Sequence, residues 1–110
     1  MYKLVAVDLD GTLLNSYGEV SDKNREAVKK AMDNGIEIVL ASGRALESVR
    51  SISLDINASK YIICGNGAEV YNIETNENIY ENYLNKEKVL QIVKYVKKIV
   101  FTVVYIQKKI

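Results

Sequence analysis

Residues 8–14 read Asp-Leu-Asp-Gly-Thr-Leu-Leu (DLDGTLL), and they close a nearly continuous apolar run that begins at Lys3. Such a run is the pattern of a parallel strand covered on both faces. Gly11 breaks it. Side chains of a strand alternate faces, so Asp8 and Asp10 share one side while Leu9 takes the other. Two like charges at this spacing repel. A protein keeps them where a cation sits between them or where the two acids have different tasks. An Asp-Gly turn at a strand end explains Asp10 and Gly11 but not Asp8.

Outward from this stretch, residues 15–20 form a polar loop, and Ser21 followed by Asp22 marks a helix start. Ala27, Val28, Ala31 and Met32 recur at helical spacing, and Gly35 falls where a helix C-cap belongs. IEIVLA (36–41) reads as a second strand, with Ser42-Gly43-Arg44 just past its carboxyl end. Leu46, Val49 and Ile52 suggest a short helix, and residues 60–64 a third strand. Strand, helix, strand, helix, strand implies a right-handed parallel sheet. Ligands collect at the carboxyl ends of such strands. Those ends carry Asp8 with Asp10, then Ser42-Gly43-Arg44, then Gly65-Asn66-Gly67.

From Ala68 the pattern changes. AEVYNIETNENIYENYL (68–84) reads as two alternating strands of a β-hairpin around residues 74–78. A helix follows, with Val89, Ile92, Val93 and Val96 on one apolar face, and IVFTVVYIQKKI (99–110) looks like one more strand.

The composition narrows the function classes. With 110 residues, 48% hydrophobic and 26% charged, the chain is one globular domain's worth. Fifteen basic against fourteen acidic residues leave +1, with no long block of either sign, so neither nucleic acid nor a membrane surface is an expected partner. There is no histidine, which removes histidine-activated nucleophiles and the usual zinc sites from these residues. Cys64, the single cysteine, sits at a strand end and is expected to be a buried thiol rather than a nucleophile. Met1 leads directly into a strand, so no signal segment is expected and the cytoplasm is the expected location.

DLDGTLL resembles the DxDGT first motif of the haloacid dehalogenase-like (HAD) hydrolases. ASGR (41–44) is similar to their second motif, and CGNGAEVY (64–71) resembles the third-strand end of the Cof-type subfamily. The resemblance implies an α/β fold: the N-terminal part of a HAD-like Rossmannoid parallel sheet, βαβαβ plus a β-hairpin, over residues 1–84, then the start of an inserted α+β cap over 85–110. It implies a phosphatase acting on small phosphorylated metabolites with Mg²⁺ as cofactor. Asp8 would be the nucleophile that becomes an aspartyl phosphate, and Asp10 the acid that protonates the leaving alcohol and then the base that activates water. A neighbouring anion, Asp8, is expected to raise the Asp10 pKa in the direction this requires. The metal would lie on the Asp8 carboxylate and the Asp10 main-chain carbonyl. Leu9, Gly11, Ser42 and Gly43 would bind the phosphoryl oxygens, with Thr12 bracing the loop. Arg44 is read either as a clamp on substrate or cap, or as a salt bridge that ties down a helix start. Asn66 and Gly67 are read either as pocket lining or as a tight turn needing positive φ.

Two pieces of the family pattern have no counterpart in these residues: the lysine that neutralises the aspartyl phosphate, and a GDxxND-like acidic motif. Lys86, Lys88, Lys94, Lys97 and Lys98 fall on the cap-like helix and are not assigned that role. The sequence therefore reads as a truncated member, in which LVAVDLD (4–10) becomes an apolar sheet edge open to self-association. The competing readings are a catalytically inactive remnant and a phosphotransferase or phosphomutase of the same superfamily.

Overall fold

The structure, a computed structural model, describes residues 1–99. Three parallel strands, β1 (Leu4–Asp8), β2 (Glu37–Ala41) and β3 (Tyr61–Cys64), alternate with the helices α1 (Asp22–Asp33) and α2 (Leu46–Asp55). An antiparallel hairpin, β4 (Glu69–Asn72) and β5 (Glu77–Glu81), extends the same sheet, and α3 (Lys86–Ile99) follows. The sheet order is β1-β2-β3-β4-β5, which makes β1 an edge among the described residues.

The helices begin and end where local chemistry dictates. Ser21 caps α1, its hydroxyl oxygen accepting the Asn24 N–H at 3.2 Å. The other end closes with the Gly35 N–H donating to Met32 O at 2.9 Å and the Ile36 N–H to Ala31 O at 3.1 Å, with Gly35 at φ +80°. This paired closure satisfies two of the last carbonyls and turns the chain into β2.

The core lies on one face of the sheet. Ile38, Leu40, Ile62 and Cys64 meet Val28 of α1, Val49 of α2, and Leu9, Leu13, Leu14 and Val20 from the connection after β1. Leu40 and Ile62 are register partners and fully buried; each such side chain contributes about 1.5–3 kcal/mol by leaving water. This packing fixes the carboxyl ends of β1, β2 and β3 relative to one another.

Two expectations are corrected. β1 is not covered on both faces: Leu4 is 53% and Val5 38% exposed, since among the described residues only Val7 of this strand packs against the core and β2 is its one partner in the sheet. Ile92 does not share the half-buried stripe of Val89, Val93 and Val96 on α3, and is exposed. The strand read in 99–110 lies outside the described residues, apart from Ile99 at the end of α3. Among the described residues no helix is long and apolar enough to cross a membrane.

Candidate active site at the carboxyl ends of the parallel strands

Asp8 is the last residue of β1 and the register partner of Ala41, so it sits beside the strand end that leads into Ser42. The chain then makes one wide turn, Leu9–Leu13, closed by the Leu14 N–H donating to Leu9 O at 2.9 Å. Within that turn Asp10 stays extended (φ −70°, ψ 123°), and Gly11 reverses the chain at φ +76°. No heavy atom lies within 4 Å of a Cβ built on Gly11, so its glycine answers to backbone conformation and not to crowding. Asp8 and Asp10 are exposed and Leu9 is buried in the core, which preserves the alternation read from the sequence. Leu9 can therefore offer a ligand its main chain only. The Thr12 hydroxyl donates to Asp8 Oδ2 at 3.5 Å, a long bond that leaves the carboxylate largely open.

Arg44 reaches this turn from beyond β2. Its Nε donates to Asp10 Oδ2 at 2.9 Å and its Nη2 to Asp10 Oδ1 at 2.7 Å, a two-pronged ion pair, while Nη1 donates to Ser48 Oγ at 3.1 Å. The guanidinium thus bridges the β1 turn to the first turn of α2. Its hydrogen bonds, seconded by its charge, hold the Asp10 carboxyl below its ordinary pKa. The sequence reading had Asp8 pushing Asp10 upward; the cation across the rim pushes it down. Ser48 carries no motif signal of its own, although it lies one helical turn from Arg44, the spacing at which neighbouring side chains meet.

Ser42 is buried, and three hydrogen bonds hold it. Its N–H donates to Ile63 O at 3.0 Å, its carbonyl accepts the Asn66 N–H at 3.1 Å, and its Oγ accepts the Arg44 N–H at 3.1 Å. Because Oγ is used as an acceptor, the hydroxyl hydrogen remains available to an anionic ligand. The Gly65 N–H donates to Arg44 O at 3.0 Å, so the loop after β3 is laced to the loop after β2. Gly65, Asn66 and Gly67 all take positive φ, at +57°, +55° and +88°. A Cβ at Gly43 would stand 2.6 Å from Asn66 Oδ1, the tip of an exposed side chain that would have to move aside. That close approach was not legible in the sequence, since nothing in SGR names its partner.

Cys64 is fully buried, and burial, with Glu69 beside it, pushes its thiol up to about 11. A thiol this hard to ionise is a core residue rather than a nucleophile.

Asp8 and Asp10 offer oxygen donors only, the chemistry that suits a hard cation such as Mg²⁺. Arg44 occupies the Asp10 carboxylate, so the donors left for a cation are the Asp8 carboxylate and main-chain carbonyls. Among the described residues no group of three or more acidic or cysteine side chains gathers for a metal.

Comparison with known proteins gives this rim its context. The family model of haloacid dehalogenase-like hydrolases matches residues 5–110. A 5-amino-6-(5-phospho-D-ribitylamino)uracil phosphatase of Bacillus subtilis, YcsE, is 39% identical over 82 residues, covering 74% of this chain and 32% of that protein. The phosphatase YwpJ of the same organism is 44% identical over 72 residues, covering 66% and 25%. A haloacid dehalogenase-like hydrolase from Bacteroides thetaiotaomicron superposes with a TM-score of 0.80 at 37% identity, covering 89% of this chain and 38% of that one. Another from Bacillus subtilis gives 0.77 at 35% identity, covering 87% and 33%. The chain spans between a quarter and two fifths of the length of these relatives. With its motif-bearing strand ends, its fold and its sequence all in agreement, the chain belongs to the haloacid dehalogenase-like hydrolases.

Proposed function

We propose that this chain carries the nucleophile half of a phosphatase site that hydrolyses small phosphorylated metabolites through an aspartyl phosphate on Asp8. The observation that carries the reading is the rim itself. An open carboxylate, Asp8, stands at the strand end next to a glycine-reversed turn and the buried Ser42 hydroxyl, in a chain similar to named phosphatases. Residues 1–84 are taken as core and 85–110 as the beginning of a cap.

In this mechanism an Asp8 carboxylate oxygen attacks phosphorus and the bond to the alcohol oxygen breaks. Asp10 gives the departing oxygen its proton. Asp10, now a carboxylate, then takes a proton from the water that attacks the phosphorylated Asp8, which releases inorganic phosphate and restores both acids. Ser42 and the main-chain N–H groups of the Leu9–Leu13 turn orient the phosphoryl oxygens. Arg44 holds Asp10 ionised, the form needed for the water step, so the proton-donating step requires the carboxyl to leave that guanidinium. Bound at the Asp8 carboxylate and the Asp10 main-chain carbonyl, Mg²⁺ would supply positive charge against the anionic phosphoryl group.

A second reading, a non-catalytic remnant that binds phosphate only, draws support from the exposed β1 edge, which leaves the strand carrying Asp8 supported from one side. Hydrolysis of an aryl phosphate by the purified chain, with and without Mg²⁺ and beside Asp8→Asn, separates the two. Metal-dependent turnover that disappears in the variant supports the phosphatase. Equal background rates in both proteins leave the remnant.

A further inference from the structure

Arg44 is fixed at both its root and its tip. Its main-chain N–H donates to Ser42 Oγ at 3.1 Å, and its carbonyl accepts the Gly65 N–H at 3.0 Å. At the tip, Nε and Nη2 meet the Asp10 carboxylate while Nη1, at another corner of the guanidinium, donates to Ser48 Oγ at 3.1 Å. The two partners of the tip stand on different ground. Asp10 lies in an exposed turn, whereas Ser48 is half-buried in the first turn of α2, and its neighbour Val49 is fully buried in the core. Ser48 therefore offers the guanidinium a packed platform, and Asp10 does not.

A guanidinium is planar and carries its N–H groups in a rigid fork. Gripped at Nη1, it presents the Nε and Nη2 edge in one direction. Released there, the fork turns about the torsions of its long stem, and the carboxylate paired with it turns too. A serine that served the helix alone would gain nothing from its hydroxyl, since alanine is the better helix former. We infer that Ser48 is a positioning residue for the proposed hydrolysis, an inference that rests on the phosphatase reading. Its hydroxyl sets the edge that Arg44 turns to Asp10, and so the direction in which the Asp10 carboxylate meets the attacking water. Ser48 acts through Arg44, at one remove from the reacting atoms.

The test follows the Arg44 Nε–H by NMR relaxation in the full chain, in Ser48→Ala and in Ser48→Thr, with Arg25 and Arg50 as internal controls. In Ser48→Ala the order of the Arg44 Nε–H should fall while the two controls stay as they are. Turnover of an aryl phosphate with Mg²⁺ supplies the second readout. An aryl leaving group departs with little help from an acid, so its kcat reports the water step that Asp10 serves. In Ser48→Ala kcat should fall about fivefold, the size of one hydrogen bond, while kcat/KM, which reports the attack by Asp8, stays unchanged. Ser48→Thr, which keeps the hydroxyl, should restore both the order and the rate. Unchanged Arg44 order, unchanged kcat, an equal fall in kcat/KM, or no rescue by threonine overturns the inference and leaves the phosphatase reading standing. Absence of turnover by the unaltered chain overturns the two together.

Discussion

β1 and β2 are nearly equal in hydrophobic content, LVAVD against EIVLA, and they pair residue for residue from Leu4 with Glu37 to Asp8 with Ala41. Their fates differ. Ile38, Val39 and Leu40 are 4%, 5% and 0% exposed, whereas Leu4 and Val5 keep 53% and 38%. β2 has a strand on each side, and Val28 of α1 and Val49 of α2 pack with its Ile38 and Leu40 in the core. Among the described residues β1 has one neighbour. Burial is therefore a property of what stands beside a strand, and an apolar run states only what the strand can tolerate. The contrast bears on function because Asp8 ends the less supported strand and Ser42 follows the better supported one.

The hardest test of this contrast is a matched pair of truncations. Leu40→Ala should cost about 3 kcal/mol in chemical denaturation, since it empties a fully buried position. Leu4→Ala should cost under about 0.5 kcal/mol, as at an ordinary surface site. Similar losses at both would show that β1 is buried in solution by something its neighbours here do not supply. Next in size, Ser21→Ala should cost about 1 kcal/mol, because the cap holds the start of the helix that brings Val28 against β2. Leu4→Lys then addresses the open edge. It should lower any self-association seen by sedimentation, since a lysine on an edge strand opposes strand pairing.

The smallest effect belongs to the Arg44–Asp10 pair, which is solvent-exposed at the acid. In Arg44→Gln the Asp10 carboxyl, followed by carbon NMR, should titrate higher than in the parent chain, toward its ordinary value. The parent's folded-state pKa is lowered, so the pair's contribution is present at neutral pH and is lost as pH falls through that lowered value. An unchanged Asp10 titration in the variant would mean that the pair does not persist in solution.

What could be read in the sequence was mostly local. Ser21 before Asp22, Gly35 after Met32, and the hairpin around residues 74–78 declare themselves within a few positions, because caps and turns are satisfied by near neighbours. The three polar strand ends also met at one rim, as a parallel topology requires. Two features could not be read. Arg44 reaches Asp10 across 34 residues, and the motif left a substrate clamp and an ion pair equally open. Gly43 and Asn66 fit each other through space, and no periodicity encodes that. For β1 the two sequence signals point different ways: the apolar run alone suits a covered central strand, while the absence of the later family motifs from these residues implies the open edge that the sheet order of the described residues has.

The central claim is that Asp8 takes the phosphoryl group. The purified chain, incubated with Mg²⁺ and an aryl phosphate labelled in its phosphoryl group, can be quenched in acid, reduced with borohydride and mapped by peptide mass. The account predicts phosphoryl label on the acid-quenched protein and, once borohydride has expelled that phosphate, homoserine in place of Asp8, with neither formed in Asp8→Asn. Label at another residue, or no labelled protein under conditions where hydrolysis is measured, would contradict it.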